Sequence, residues 1–402
     1  NRPGATRAGQ QLFADRAGIV KGACAVTEAV IAGAACVILL LLNLTSMAIA
    51  GRRWSRARSE PPATRPFVSI VRPLRGIEEF SAETLASTFA IDWPAYEAIF
   101  CVQKANDPII PLVEAAIAAH PRIHARLLVG DDPICPNPKL NNCVKGWLAA
   151  RADWVVLADS NVLMPVDYLD RLMGAMKEDC GLVVSMPLGV RPRGFFGHVE
   201  VAVLNTFQAR WQYAAEAVGM GFAQGKNMLW RREVLDKAGG IGALASEIAE
   251  DAASTKVVRA QGLKVRLVDR PFEQPLGLRS AREVWARHSR WARLRRVTFP
   301  LQFAPEILTG ALPPILAGAL ATKFAGFGLG VTTATVAAIA TLLYGAELAL
   351  TSAARFPLTW RTPFALVTRD LALPVLWIDA WLVDDFTWHG HKMTVREPGD
   401  ET

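Results

Sequence analysis

Residues 154–164 read WVVLADSNVLM, a run of strand-forming residues that stops at one acid, Asp159, and then offers Ser160 and Asn161. A short continuous apolar run suits a strand buried on both faces of a parallel sheet. In open α/β sheets ligands sit outside the carboxyl ends of the strands, which is where this polar triplet falls. A strand that merely ends in a polar turn reads the same way, so the flanking sequence has to separate the two.

Outward from this strand the chain alternates. Upstream lie strand FVSIV (67–71), helix SAETLASTFA, strand AIFCVQ (98–103), helix PIIPLVEAAIAAH (108–120), strand HARLLV (124–129) and helix LNNCVKGWLAA (140–150). Downstream, helix VDYLDRLMGAM and strand GLVVSM continue the pattern to Met186. The alternation predicts a mostly parallel α/β sheet with helices on both faces. Polar sets follow three of the strands: Pro73 to Gly76 with Arg75 among them, Asp107, and Asp159 to Asn161. Three sets on one sheet edge favour a nucleotide site over chance polarity.

The chain has 402 residues, 51% hydrophobic and 20% charged, which fits either a large soluble fold or a soluble domain that carries membrane segments, and the distribution of apolar residues decides between them. The stretch 23–51 carries no charge after Glu28 and matches the ~20 apolar residues that cross a bilayer as a helix. A cleaved signal peptide would need a short apolar core and a small-residue cleavage site, and Arg52, Arg53, Arg56 and Arg58 follow instead. This reads as an anchor with the rest of the chain facing the cytoplasm. Residues 1–22 form a tail, 52–66 a basic, proline-containing linker, 67–280 the cytosolic catalytic domain and 281–300 an interfacial helix. Residues 301–384 form a C-terminal membrane region and 385–402 a second tail. Within 301–384, two spans are expected between Pro305 and Leu350. A third segment, 371–383, contains Asp379 and either lies at the interface or extends back past Arg369 and Asp370.

The net charge is +7, but the basic residues cluster beside membrane segments, which points to lipid headgroups and a diphosphate rather than nucleic acid. Six cysteines without a Cys-x-x-Cys pair indicate neither a zinc site nor a disulfide framework, and His389-Gly390-His391 has no convincing ligand spacing. Lys139, at the start of a helix, is a candidate for phosphate contact, as Gln224, Gly225 and Asn227 are for the acceptor side. Arg287 and Arg290 are three apart on one helical face, where guanidinium forks suit a leaving diphosphate. Arg293, Arg295 and Arg296 read as headgroup contacts.

In order, the chain carries VRPLRG (71–76), DWPAYEAIFCVQKANDP (92–108), NPKLNN (137–142), ADS (158–160), RREVLDKAGG (231–240), AED (249–251) and RHSRW (287–291). As a set these resemble the ceramide glucosyltransferase family, membrane-bound inverting glycosyltransferases of the GT-A type, over about residues 67–300. The resemblance implies a GT-A (Rossmann-like) domain with one N-terminal and two to three C-terminal membrane helices. It also implies transfer of a hexose, glucose first among the candidates, from UDP-hexose to the primary hydroxyl of ceramide with inversion.

By the same resemblance Asp107 meets the nucleoside and Asp159 the donor's diphosphate through Mg²⁺ or Mn²⁺. Asp251 is the general base, and Arg287, Arg290 and Trp291 belong to the R-x-x-R-W signature. The sequence departs from the pattern at Lys104 and Asn106 beside Asp107. It departs again at Asn161, which stands where Asp-x-Asp enzymes place a second carboxylate and would offer a metal only a neutral oxygen. Glu250 and Asp251 lie about 100° apart on a helix, so one of them at most points into a cleft. The rival readings are a glycosyltransferase acting on a hopanoid or diacylglycerol, and a catalytically silent membrane scaffold that keeps the fold.

Overall fold

The computed structural model describes residues 4–56, 62, 64–388 and 391–395, with side chains from Cys24 onward except at 388, 391 and 392. Residues 57–61 and 63 of the proline-containing linker, Arg58 among them, and the His389-Gly390 pair lie outside the described residues.

The strands are β1 (Val68–Pro73), β2 (Tyr96–Val102), β3 (His124–Val129), β4 (Trp154–Ala158), β5 (Cys180–Ser185), β6 (Pro187–Arg193), β7 (Asn227–Arg231), β8 (Lys264–Leu267), β9 (Phe272–Leu278), β10 (Asp385–Trp388) and β11 (His391–Thr394). Seven of them form one sheet in the order β3-β2-β1-β4-β7-β5-β8. All neighbours are parallel except β7, which runs antiparallel to β4 and β5. β1, β2, β4 and β5 are apolar on both faces because both faces are covered. Val71, Ile99, Val155 and Leu157 enter one core, while Val68, Ile70 and Val156 enter another on the opposite side.

The helices are α1 (Gly4–Ser55), α2 (Ser81–Ser87), α3 (Ile110–Ala119), α4 (Pro138–Ala149), α5 (Tyr168–Ala175), α6 (Gly194–Val203), α7 (Ala209–Ala217), α8 (Arg232–Lys237), α9 (Glu250–Ala260), α10 (Ala281–Thr298), α11 (Pro300–Phe303), α12 (Leu312–Phe324), α13 (Leu329–Ala353) and α14 (Thr362–Leu382). Local chemistry fixes several starts. The Asn137 side chain accepts from the Lys139 and Leu140 amides ahead of α4, and Pro138 occupies the first turn, where its missing N–H is no loss. Ser280 and Glu283 form a reciprocal capping box at α10.

Among the described residues two helices are long and apolar enough to cross a membrane, Cys24–Ser55 within α1 and Leu329–Ala353. A pair bent by 53°, Pro300–Leu308 with Leu312–Phe324, makes a third if counted as one span. The helix that carries the first span runs from Gly4, and its apolar part begins at Cys24. The segment 371–383 belongs to a helix that starts at Thr362, with Arg369 and Asp370 buried, and that helix is not among those apolar enough to count as a candidate span.

Strand order positions the site. β1 has β2 and then β3 on one side and β4 on the other, so chain direction across the sheet reverses between β1 and β4. The crevice at their carboxyl ends is the topological switch point, the place where such sheets bind ligands.

Candidate active site

On the β1 side of the crevice, the loop after Pro73 turns at Gly76 in the left-handed region (φ 64°), a conformation that glycine adopts without strain. Asp107 fixes this turn: its carboxylate accepts from the Gly76 amide at 2.9 Å and from the Ile109 amide at 3.0 Å. Arg72 is fully buried beneath it, and its Nη2 donates to the Asp159 and Ser160 carbonyls at 3.1 and 2.9 Å, tying β1 to the end of β4. Arg72, Arg75, Gly76 and Ser160 line a small cleft open to solvent.

On the β4 side, Asp159 sits between two ammonium groups. Lys139 Nζ lies 2.6 Å from its Oδ1 and Lys226 Nζ 2.7 Å from its Oδ2. Burial opposes ionisation of Asp159, but the two lysines hold its pKa at about 2. Lys226 also donates to Asn161 Oδ1 at 3.3 Å. The sheet sets this meeting, because β4 pairs with β7 at Ala158 and Asn227 and the Asp159 amide donates to the Lys226 carbonyl at 2.9 Å.

Lys139 links this pair to α9. Its ammonium contacts Glu250 Oε1 at 2.6 Å and donates to the Gly225 carbonyl, while Asn137 donates to Glu250 Oε2 at 2.7 Å. Burial disfavours the Lys139 charge, but Asp159 and Glu250 outweigh it and raise the pKa above the ordinary lysine value. Gly225 is required by close approach, since a Cβ there would lie 2.6 Å from Glu250 Oε1 and 3.0 Å from Lys139 Nζ. The Gly225 amide donates to Asp251 Oδ2 at 3.0 Å. Burial, reinforced by Glu250, pushes Asp251 up to about 6.

The donor set does not fit a divalent cation. Mg²⁺ and Mn²⁺ need hard oxygen ligands free to coordinate, and both Asp159 oxygens, Asn161 Oδ1 and Glu250 Oε1 already face ammonium groups. Among the described residues no group of three or more His, Cys, Asp or Glu side chains is placed to hold a metal ion.

Arg287 Nη1 donates at 2.7 Å to Glu200, a fully buried carboxylate on α6 that also faces His288 Nε2 at 3.4 Å. Burial opposes the Glu200 charge, yet His288 and Arg287 hold its pKa at about 2. Trp291 packs against Val201, Leu204 and Leu276. Burial, with Arg287 beside it, lowers Arg290 to about 10.

The model of the family described as "Glycosyl transferase family 21" matches residues 30–400. The chain belongs to glycosyl transferase family 21. Ceramide glucosyltransferase 1 of Caenorhabditis elegans is 28% identical over 269 residues, covering 66% of this chain and 58% of that protein. Ceramide glucosyltransferase 3 of the same organism is 26% identical over 250 residues, covering 62% of this chain and 54% of that protein. The chain thus spans a little over half the length of these relatives. A mannosyltransferase from Pyrobaculum calidifontis, solved in complex with GDP-Man and Mn²⁺, superposes with a TM-score of 0.51 at 19% identity. It covers 89% of this chain and 98% of its own, and this family 21 chain accordingly has the GT-A fold.

Measured against the sequence expectations, Lys139, Asp159, Gly225 and Asp251 meet in one cluster, and Arg75 and Asp107 stand at the neighbouring cleft. Pro73 is buried as the last residue of β1. Gln224 joins through its backbone, its carbonyl accepting from the Lys226 amide at 2.8 Å. Asn227 is corrected: it is buried in β7, with Oδ1 accepting from the Tyr168 hydroxyl at 2.7 Å, so it presents no group to an acceptor.

The headgroup reading of Arg293, Arg295 and Arg296 is corrected too. They pair with Asp379, Glu306 and Asp384, because α10 packs against the helices and turns that carry these acids. Sequence reasoning missed Arg72 and Glu200, and covered Lys226 only as part of the acceptor-side stretch 224–227 rather than as a partner of Asp159. A basic residue inside VRPLRG was a visible signal for Arg72, whereas Glu200 had none.

Proposed function

We propose that this chain transfers a hexose, glucose first among the candidates, from UDP-hexose to the primary hydroxyl of ceramide. The anomeric carbon inverts, and the reaction takes place at the cytosolic membrane face. The observation that carries this reading is Asp251, a carboxylate held by the Gly225 amide beside the switch-point crevice and raised to about 6. A general base works best with a pKa near the working pH, and this one needs no large further adjustment. Asp251 takes the proton of the acceptor hydroxyl as that oxygen attacks the anomeric carbon. The bond to the nucleotide diphosphate breaks on the opposite face, which turns an α-linked donor into a β-glycoside.

Family membership and the similarity to ceramide glucosyltransferases support the acceptor. So does the apolar architecture: removing a two-chain lipid from the bilayer costs about 0.8 kcal/mol per CH₂, and a domain anchored by α1 and α13 avoids that step. Arg52, Arg53 and Arg56 at the end of α1 support the cytosolic face, since basic residues flanking a span favour that side. The metal role that the resemblance gives Asp159 and Asn161 is not part of this mechanism, since their oxygens are committed to lysines.

The test is mass spectrometry of lipids formed by the purified chain with several UDP-sugars and acceptors. One hexose per ceramide is expected, and Asp251→Asn should lower the rate by about 10²-fold or more. Wild-type turnover in that variant would remove Asp251 from the role of base. Sugar on a hopanoid or diacylglycerol alone, or on no lipid at all, would overturn the ceramide assignment.

A further inference from the structure

We propose that the Lys226 ammonium, rather than a divalent cation, supplies the positive charge that meets the donor's diphosphate. Lys139, whose three donors are taken by Asp159, Glu250 and the Gly225 carbonyl, holds Asp159 from the other side. This rests on the nucleotide-sugar reading above. Asp159, the acid that a metal would need, is bridged on both sides at 2.6 and 2.7 Å. A metal at ordinary oxygen distance, about 2.1 Å, would have to displace an ammonium that lies only slightly further out.

Neither lysine reaches in from a free loop. Lys139 lies in the first turn of α4, whose start Asn137 caps, and Lys226 adjoins the first residue of β7, where the pairing with β4 fixes its height. Gly225 between them has no side chain, which lets Lys139 Nζ approach the chain there. Asn161 adds to the argument. A second carboxylate at that position would pull a cation in, whereas the amide presents one neutral oxygen, and that oxygen accepts from Lys226.

The lysine pair adjoins a place for a ligand. Ser160, between Asp159 and Asn161, lines the same cleft as Arg72, Arg75 and Gly76. Among the described residues Lys226 donates to Asp159 and Asn161, two of the three bonds an ammonium can make, so a phosphate oxygen has a donor to meet. Asp159 then acts as a positioning residue that aims Lys226.

The inference reverses the sign of one substitution. If Asp159 held a metal, removing its charge would abolish diphosphate binding. If it holds two lysines, the same change leaves the cradle one unit more positive.

The test is calorimetric titration of the full chain in lipid nanodiscs with UDP, once in EDTA and once with Mn²⁺ or Mg²⁺. UDP is expected to bind in EDTA with an affinity within about threefold of that with metal. Lys226→Met should weaken binding about tenfold or more, and Lys226→Arg should retain most of it. Asp159→Asn should bind UDP in EDTA at least as tightly as the parent, with thermal unfolding of each variant showing that it is folded. Binding that requires added metal, or its loss in folded Asp159→Asn, would overturn the inference while leaving the donor reading intact. Failure of UDP to bind in either condition would overturn the donor reading and this inference together.

Discussion

Glu250 and Asp251 are adjacent in sequence and do different work. Glu250 is buried against Lys139 and Asn137, while Asp251 accepts from the Gly225 amide and from Ala252 at the start of α9. The raised pKa of Asp251 sets the sign of a pH dependence. In its proposed role as base Asp251 is active when unprotonated, so turnover should fall on the acid side with a limb near pH 6 in the kcat/KM profile, which reports the free enzyme. Lys139 holds this pKa down against burial and Glu250, so Lys139→Gln should move the limb to higher pH.

The linkage to stability differs between the two aspartates. Asp251, raised, contributes stability that is lost as pH rises through about 6. Asp159, depressed, contributes stability above the ordinary carboxylate range that is lost as pH falls toward 2.

At the scale of elements, ion pairs rather than apolar contact alone set how helices dock. Arg53, near the end of α1, bonds Glu216 and Asp269 at 2.8 Å each, donates to the Leu267 carbonyl at 2.9 Å and stacks on Tyr213. The residue that ends the anchor by charge is thus also the clamp that fixes α1 to the catalytic domain. Arg53→Ala should destabilise the fold by about 1–3 kcal/mol, read as a lower thermal midpoint in detergent, because two part-buried carboxylates lose a charged partner. Arg52 and Arg56, both exposed, should tolerate alanine with little change.

α10 shows the same logic. Its positive face was legible as a pattern, but the pattern does not say whether the partners are lipid phosphates or the acids of the helices and turns beside it.

Over the whole molecule, a buried charge cluster joins α13 and α14 to the segment between α6 and α7. Arg369 on α14 pairs with Glu347 on α13 and with Asp370 at 2.9 Å, and it donates to Thr206 at 3.1 Å on the turn between α6 and α7. All three charged side chains are almost inaccessible, so each depends on the others for compensation. Arg369→Leu should cost about 3–5 kcal/mol by leaving two buried carboxylates unpaired, and Glu347→Gln less, since Asp370 still neutralises the arginine. Equal losses in the two variants would show that the arginine is not the centre of the cluster.

The sequence by itself determined the alternation of strands and helices, the two apolar spans and the polar strand ends that mark the site. Apolar runs, periodicity and caps act between residues close in the chain, and β3 (His124–Val129) and β4 (Trp154–Ala158) fall where their residues predict. Only the tertiary structure decided that Lys226, 67 residues beyond Asp159, lies against it, and that Arg287 faces Glu200 instead of open solvent. Those pairings depend on β7 entering the sheet beside β4 and on α10 docking on α6. Both are contacts between distant segments, chosen by the burial of whole faces, and a lysine or a glutamate carries no local mark of which face it will meet.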